Sequence, residues 1–513
     1  MKKLIFVLSL TSILAVNACN DSVSMVTTTK DNVWADATKS IDAEPVGKSE
    51  SISINPDDRR QTIQGFGTAF SEMSYEALSY LSEEDRADIY CELFAPGVGA
   101  NFTINRTPLG ANDFSLKYYS YNDVDGDLAM DNFSIENDRS TLIPSIKAAL
   151  AVNPDLKVWA SPWCPPAWMK TNKHYATRPM RSMRRAIDAA APRPGGAPGQ
   201  RAGSSQNAPS MGQQAVNAMA EKDMTGVITD NGIKPEQIGR EGMMMFTPSE
   251  EYYAAYALYF QKYIQAYREE GIDIYMVMPQ NEPNSAQWYP SCVWTADGLR
   301  NFMRHLGPAM DELGVEVMHG TMERADWRQA DTVLSDPVAG PYVKGVAFQW
   351  AGSAALPEIY RRYPELTMVM SEHQCHGGKN SWADFIHSWE LLKFYIDNGV
   401  GIYDYWNMAL RENGVSTWGW SQNSLICVNR HDRTYRYNYE YYLMKHASHF
   451  VKPGAVCIGT EGYDEVLAFE NPDGGIVILV AEKEGNDRNL TINVGKKVVN
   501  VNIPANSLST IEI

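Results

Sequence analysis

The chain has 513 residues, of which 44% are hydrophobic and 11% aromatic. It is too long for one ordinary domain and can bury a large core, so we expect one large domain and one small one. The net charge of −17 argues against partners that need a positive surface, namely nucleic acid, anionic lipid surfaces and polyanionic substrates. A neutral substrate is favoured.

The first 18 residues predict a secretory signal peptide. Lys2 and Lys3 precede a short apolar stretch, and Ala18 stands directly before Cys19. The ending Val-Asn-Ala-Cys resembles a bacterial lipoprotein signal, in which the cysteine is lipidated. We therefore expect secretion across the inner membrane of a bacterium, giving a periplasmic or cell-surface lipoprotein with a lipid anchor at Cys19. The alternative is plain cleavage near Ala18 that leaves Cys19 unmodified.

Three further parts follow the signal peptide. Residues 19–50 are rich in Ser, Thr, Asp and Ala without apolar periodicity, which predicts a flexible tether. Residues 51–450 form the expected large domain. Residues 451–513 predict a small antiparallel β-sandwich, because short alternating runs at 466–470, 475–481, 490–494 and 497–503 are separated by turns. Residues 51–55 are a candidate further strand of this sandwich.

The large domain alternates apolar runs with amphipathic helices. We expect strands at 62–70, 101–108, 156–163, 274–280, 315–322, 343–350, 366–371 and 401–408. Apolar stripes at helical spacing lie between them, as in Leu299, Phe302, Met303, Leu306 and Met310. Eight such β/α repeats predict an α/β fold of the (β/α)8 TIM barrel type.

One segment interrupts the repeat. Residues 173–230 are rich in Ala, Pro, Gly, Gln and Arg, are locally basic and lack a hydrophobic pattern, which predicts a mobile insert. Because the insert follows the third strand, it emerges on the face where barrel enzymes hold their active sites. It is either a lid or substrate-contacting loop, or a tolerated surface insertion.

Two glutamates carry the functional prediction. Glu282 follows the fourth apolar run and Glu372 the seventh, each where a parallel barrel places its chemistry. The ends of these strands can face one another across the pocket. Retaining glycosidases use such a pair at about 5 to 5.5 Å, whereas inverting enzymes hold it at about 6.5 to 9.5 Å. Surface carboxylates are the ordinary alternative, and two placements at strand ends argue against it.

Several motifs in a fixed order resemble glycoside hydrolase family 30. They are QGFGTAFSE, INRTPLGANDFS, ASPWCPPAWMKTN, MPQNEP, VMSEH and YDYWNMAL. The family includes lysosomal glucosylceramidase and the bacterial and fungal β-1,6-glucanases, and the resemblance covers the chain from about residue 51 onward, less the insert. It implies a retaining β-glucosidic hydrolase that acts on a carbohydrate, with β-1,6-glucan as the expected substrate. The alternatives are glucosylceramide hydrolysis, a more distant xylosidase or fucosidase activity, and a non-catalytic surface glycan-binding protein.

The resemblance also implies individual roles. Glu282 would be the acid/base, Glu372 the nucleophile, and Asn281 the partner of the sugar 2-hydroxyl. Asp113 and Trp163 match positions that grip the 3-, 4- and 6-hydroxyls, and Trp406 matches the aromatic platform beneath the ring.

The residues themselves support further site predictions. Arg106 closes the second strand, where a guanidinium near Glu372 would keep that carboxylate ionised. Trp288 and Tyr289 can supply an apolar setting that keeps Glu282 protonated. Trp350 and Trp418, with Trp288 and Trp420, are expected to stack against sugar faces.

Departures from the glucosylceramidase pattern bear on the substrate. The sixth strand ends in Phe348-Gln349-Trp350, where glucosylceramidase has His-Trp-Tyr, so a proton-linked role at Gln349 is in doubt. The stretches 371–382 and 416–424 look closer to the β-1,6-glucanase branch.

Neither a metal nor a cofactor is expected. His373, Cys375 and His376 are loop neighbours without partners at ligand spacing, and the expected reaction needs no metal. The seven cysteines are scattered without CxxC pairs, so no disulfide framework is predicted.

Overall fold

The computed structural model describes residues 23–180 and 226–513. The predicted signal peptide, Cys19 and the central part of the predicted insert lie outside the described residues. Within the described ranges, no helix is both long enough and apolar enough to cross a bilayer. The six cysteines there are all free thiols.

The N-terminal segment forms strands. They are β1 (Ser24–Thr29), β2 (Ala35–Asp36) and β3 (Lys48–Thr62). Strand β1 pairs antiparallel with the C-terminal strand Ser507–Glu512, and Met25, Thr27 and Thr28 are buried. The predicted tether is therefore wrong where this segment forms strands, because pairing with strands from the far end of the chain satisfies their backbone.

Eight parallel strands close into a barrel in chain order. They are β4 (Gly65–Ala69), β5 (Ile104–Pro108), β6 (Lys157–Ser161), β7 (Ile274–Val277), β8 (Glu316–Met322), β9 (Val343–Gln349), β10 (Thr367–Glu372) and β11 (Val400–Asn407). Strand β11 pairs with β4 to complete the closure. Each element overlaps one predicted run, so the barrel prediction is confirmed.

Side chains fill the barrel beneath its C-terminal end. This inner cluster consists of Ile104, Trp159, Met276, Met278, Met318, Ala347, Val369 and Ile402. A glycine is required at Gly67, since a Cβ there would lie 1.5 Å from the Ile104 carbonyl oxygen. The packed interior gives the pocket above it a rigid floor.

Helices surround the barrel. Those in the described residues are α1 (Glu72–Ser79), α2 (Glu83–Phe94), α3 (Leu142–Val152), α4 (Glu250–Glu269), α5 (Ala296–Asp311), α6 (Arg328–Leu334), α7 (Leu356–Arg362), α8 (Trp382–Asp397) and α9 (Tyr439–Ser448). The predicted apolar stripe of α5 is buried, and Thr295 caps the helix by accepting from the Gly298 N–H. A capping box of Ser381 and Asp384 begins α8.

Two further sheets follow the barrel. A small one contains β12 (Ala409–Arg411), β13 (Ile426–Asn429) and β14 (Thr434–Tyr437). The other joins β1–β3 to β15 (Val456–Glu461), β16 (Val466–Glu470), β17 (Ile476–Glu482), β18 (Arg488–Val494), β19 (Lys497–Ile503) and β20 (Ser507–Glu512).

This nine-stranded sheet wraps around one apolar core, to which strands from both of its ends contribute. The sandwich domain predicted from the C-terminal strands is confirmed. Residues 51–55 lie in β3, which pairs antiparallel with β15 and parallel with β18. The sheet is therefore not wholly antiparallel, because β3 comes from the opposite end of the chain and enters between two C-terminal strands.

Side chains from both domains meet at α8 and α9. The Trp389 indole donates to Glu465 at 2.7 Å, and the His446 ring lies within 2.8 Å of the hydroxyls of both Thr28 and Thr510. Burial lowers the pKa of His446 to about 3, so this contact is made by a neutral imidazole. The sandwich thus supports the wall of the barrel.

Candidate active site

Arg106, on β5, lies at the centre of the pocket and is fully buried. Its guanidinium donates to the Ser161 hydroxyl at 2.9 Å, the Ser371 carbonyl at 3.0 Å and Asn281 Oδ1 at 2.7 Å. It also donates to Glu372 Oε2 at 3.1 Å. One planar fork therefore fixes side chains from β6, β10 and the turn after β7 relative to one another.

Glu372 ends β10 and is 4% exposed. Besides Arg106, the Gln349 amide donates to Oε2 at 3.2 Å and the Trp350 indole to Oε1 at 3.3 Å. These three donors stabilise a negative charge on this carboxylate and hold it in one orientation.

Glu282 lies in the turn after β7 and is 8% exposed. Its backbone adopts the left-handed region, with φ of 48°, and its N–H donates to the Thr321 hydroxyl at 3.1 Å. Strained conformations of this kind recur at functional sites, where surrounding contacts hold them.

One amide connects the two glutamates. Gln349 Nε2 donates to Glu282 Oε1 and to Glu372 Oε2, each at 3.2 Å. The two oxygens are therefore no more than 6.4 Å apart, twice that length. This bound accommodates the close pair of a retaining glycosidase and leaves little room for the water of an inverting one.

Burial raises the pKa of both carboxyl groups, for Glu372 to about 7. For Glu372, desolvation outweighs the opposing attraction of Arg106. The two groups interact, so their protons are lost in steps that belong to the pair. We assign the first negative charge to Glu372, because three donors converge on it, and the remaining proton to Glu282.

Asn281 precedes Glu282 and is oriented through its oxygen. Oδ1 accepts from Arg106, from the Thr321 hydroxyl at 3.0 Å and from Gln349 at 3.3 Å. Three donors on one oxygen leave the amide nitrogen as the group with which Asn281 can bind a ligand.

Asp113, Trp163 and Trp406 all lie near the Arg106 guanidinium. The Trp163 and Trp406 rings stack with centroids 5.2 Å apart, and the Arg106 guanidinium lies 4.3 Å from the Trp163 centroid. Within the described residues, Asp113 Oδ1 and Trp406 Nε1 are buried without a hydrogen-bond partner. A buried polar atom without a hydrogen bond costs free energy, so these two atoms favour a ligand that offers hydroxyl groups.

Comparison with known proteins identifies the family. Residues 63–182 and 232–451 match the glycosyl hydrolase family 30 TIM-barrel domain, and residues 454–511 match the beta sandwich domain of that family. The chain belongs to glycosyl hydrolase family 30. It is therefore a glycosidase, and the predicted retaining chemistry fits both the family and the carboxylate pair.

Similar proteins include ones named glucosylceramidases and ones named endo-1,6-β-glucanases. Putative glucosylceramidase 1 of Caenorhabditis elegans is 28% identical over 86% of this chain and 77% of that protein. Endo-1,6-beta-D-glucanase neg1 of Aspergillus fumigatus is 27% identical over 90% of this chain and 88% of that protein. The solved structure of the endo-beta1,6-glucanase BT3312 is 25% identical, with a TM-score of 0.73 over 96% of this chain and 99% of that one.

The structure adds Gln349 to the site and changes the interpretation of Trp418. Trp418 is only 1% exposed, stacks on Tyr118 with centroids 4.4 Å apart, and donates to the Asn112 carbonyl. Its side chain thus supports the loop that carries Asp113. The expectation that sugar stacks on Trp418 is not supported, because Tyr118 covers its ring.

Trp350, by contrast, is half-buried at the rim of the pocket. Its ring lies 6.4 Å from Trp420, which lies 5.8 Å from Trp288. These three tryptophans, which we call the aromatic rim, extend outward from the Glu372 contact of Trp350. They come from three different loops, so only the folded chain brings them together.

His373 is held by its neighbours rather than presented to a ligand. Its ring nitrogens lie 2.6 Å from the Tyr403 hydroxyl and 2.9 Å from the Ser388 hydroxyl. In residues 23–180 and 226–513, no group of three or more His, Cys, Asp or Glu side chains is arranged to hold a metal ion.

The described ends of the predicted insert lie against the aromatic rim. The backbone N–H groups of Thr177 and Arg178 both donate to the Gln287 carbonyl, and Asn231 donates to the Trp288 carbonyl at 2.9 Å. These contacts hold the first described part of the insert and the residue that follows it in place, whereas residues 181–225 lie outside the described chain.

Proposed function

We propose that this protein hydrolyses β-1,6-linked glucan by double displacement, with Glu372 as nucleophile and Glu282 as acid/base. The observation that carries the double displacement is that the Gln349 amide donates to both carboxyl groups. Of these two groups, only Glu372 accepts a hydrogen bond from Arg106. The same scaffold thus holds the pair close together and makes its two members electrostatically different.

In the first step, a Glu372 oxygen attacks the anomeric carbon as the glycosidic bond breaks. Glu282 donates its proton to the departing oxygen, so the leaving group departs neutral. The result is a glycosyl ester on Glu372. In the second step, Glu282, now ionised, removes a proton from water, which attacks the same carbon and releases Glu372. Two displacements at one carbon retain its configuration.

The surrounding side chains act on this sequence. Arg106 stabilises the Glu372 carboxylate before attack and after release. The Asn281 amide is placed to donate to the sugar 2-hydroxyl, a contact that strengthens in the oxocarbenium-like transition state. Asp113 and Trp406 offer their unpaired polar atoms to the other hydroxyls.

Support for a free polysaccharide comes from the rim. Trp350 is half-buried beside Glu372, and its ring is an aromatic surface on which a further sugar of a longer chain can stack. Two similar proteins are named endo-1,6-β-glucanases. Glucosylceramide is the second candidate, because other similar proteins are named glucosylceramidases. A non-catalytic glycan-binding protein would have no need of both carboxyl groups.

Substrate preference tests the linkage. We expect kcat/KM on β-1,6-glucan oligosaccharides to exceed that on detergent-dispersed glucosylceramide by at least about 100-fold, because stacking on the rim is lost with a ceramide aglycone. The measurement compares initial rates on both substrates, with gentiobiose as a short control. A preference for glucosylceramide would overturn the glucanase assignment and leave the retaining mechanism intact.

We also propose export and a lipid anchor at Cys19. Strand β1 begins at Ser24, five residues after Cys19, so an extended linker spans only about 18 Å. The anchored sandwich would then lie close to the membrane. In a bacterial host, wild-type protein is expected to partition into the detergent phase and Cys19→Ala into the aqueous phase. Equal partitioning of the two would contradict the anchor.

A further inference from the structure

Glu323, directly after β8, is a third carboxyl group beside the pair and has no part in the steps above. It is 1% exposed. Its Oε1 accepts from the Asn284 N–H at 2.9 Å and from the Ser285 hydroxyl at 3.0 Å. Within the described residues, its Oε2 is buried without a hydrogen-bond partner.

These contacts join Glu323 to the turn that carries Glu282. Asn284 and Ser285 follow Glu282 in that turn, and the Ser285 N–H donates to the Glu282 carbonyl at 3.0 Å. Glu323 therefore holds the strained backbone turn of Glu282, and the two carboxyl groups repel each other when both are charged.

We propose that Glu323 is a positioning residue that holds the turn after the acid/base Glu282 and keeps Glu282 protonated. When Glu323 carries a negative charge, that charge opposes a second negative charge on Glu282. The inference rests on the proposed role of Glu282 and deepens it.

The order of ionisation follows from the donors. Glu323 accepts from Asn284 and Ser285, and the Arg324 guanidinium lies 3.7 Å from its Oε1. The Glu282 carboxyl group accepts from one Gln349 amide, which it shares with Glu372. Burial raises the pKa of both groups, and a negative charge on one opposes a second negative charge on the other. The additional donors favour the charge on Glu323, so Glu282 keeps its proton to higher pH.

Other groups also face Glu282 and must stay constant in a test. The Glu372 and Asp113 carboxyl groups oppose its ionisation, the Arg106 and Arg324 guanidinium groups favour it, and the Tyr289 phenol is neutral because its pKa is raised. Arg324 pairs with Glu241 at 2.6 Å, so Glu241 offers a matched control on the solvent side of the same arginine.

The test is the pH profile of kcat/KM for Glu323→Gln on two aryl β-glycosides. Glutamine keeps an oxygen for Asn284 and Ser285 but cannot ionise. On the phenyl glycoside, which needs a proton, we expect the alkaline limb to move down by about one pH unit. On the 2,4-dinitrophenyl glycoside, which leaves without a proton, the limb should not move. Glu241→Gln should match wild type on both.

Two outcomes would overturn the inference: an alkaline limb on the phenyl glycoside that matches wild type, or an equal loss of kcat/KM on both glycosides at every pH. Thermal unfolding checks that the variant is folded. If it is not, Ser285→Ala replaces it, with a smaller shift in the same direction expected, because Glu323 loses a donor. Glu282→Ala tests the acid/base role of Glu282 separately from the role of Glu323. If Glu282 is the acid/base, this variant should act much faster on the 2,4-dinitrophenyl glycoside than on the phenyl glycoside. Equal losses on both would contradict the role of Glu282 itself.

Discussion

Glu372→Gln is expected to lose at least about 10⁴-fold in kcat on every substrate, because no other group can form the glycosyl ester. Glu282→Ala should behave differently. It should lose about 10² to 10⁴-fold on substrates with poor leaving groups, yet form the ester readily from a 2,4-dinitrophenyl glycoside, which needs no proton. Steady-state rates on a series of aryl glycosides measure the difference.

Azide decides the assignment. Added to Glu282→Ala, it should restore turnover by attacking the ester and should yield the β-glycosyl azide, because two displacements retain the configuration. An α-azide product would show that Glu282 is the wrong acid/base. Glu316→Gln, at the exposed start of β8, is the matched control and should retain wild-type kcat.

The barrel could be predicted from the sequence because its strands are buried on both faces. Such strands consist of short apolar runs, and eight of them in alternation with apolar helical stripes leave few other folds. The glutamates at two strand ends then follow from the rule that barrel chemistry lies at that edge. The apolar runs and their order along the chain were therefore enough to predict both the barrel and the positions of the two glutamates.

Strand β1 was missed because its sequence carries no local signal. Four of its six residues are Ser or Thr, and its partner β20 lies almost the whole chain away. Polar β-branched residues of this kind suit a strand and a disordered segment equally well in the absence of a partner. Only the folded chain supplies that partner.

Gln349 and Glu323 could not be assigned to the site from the sequence for the same reason, since only the folded chain shows their partners. Each stands at or just after the end of a barrel strand, and that position was the available signal. However, Gln349 contacts Glu282 from β9, and Glu323 contacts the turn after Glu282 from the end of β8. Which strands lie next to one another is not visible in the sequence. Trp418 shows the opposite error, because its loop position resembles that of the rim while its ring is covered by Tyr118.

Arg106→Lys should cost about 10³-fold in kcat/KM and about 3 kcal/mol in the free energy of unfolding. A lysine has no planar fork, so it cannot satisfy Ser161, Asn281, the Ser371 carbonyl and Glu372 together, and buried acceptors are left unpaired. Arg106 also lowers the pKa of Glu372 against the effect of burial. With a more distant charge that pKa rises, so the acidic limb of kcat/KM should move to higher pH.

The pH profile distinguishes this role from simple support of the fold. Arg139→Lys is the matched control, because Arg139 makes two ion pairs, with Glu136 and Glu270, but is 46% exposed. It should leave both kcat/KM and the acidic limb unchanged, since exposed pairs contribute little. If Arg106→Lys lost stability but kept the acidic limb of wild type, the guanidinium would hold the pocket together without setting the charge on Glu372. The electrostatic difference between the two glutamates would then have to come from Trp350, because Gln349 donates to both.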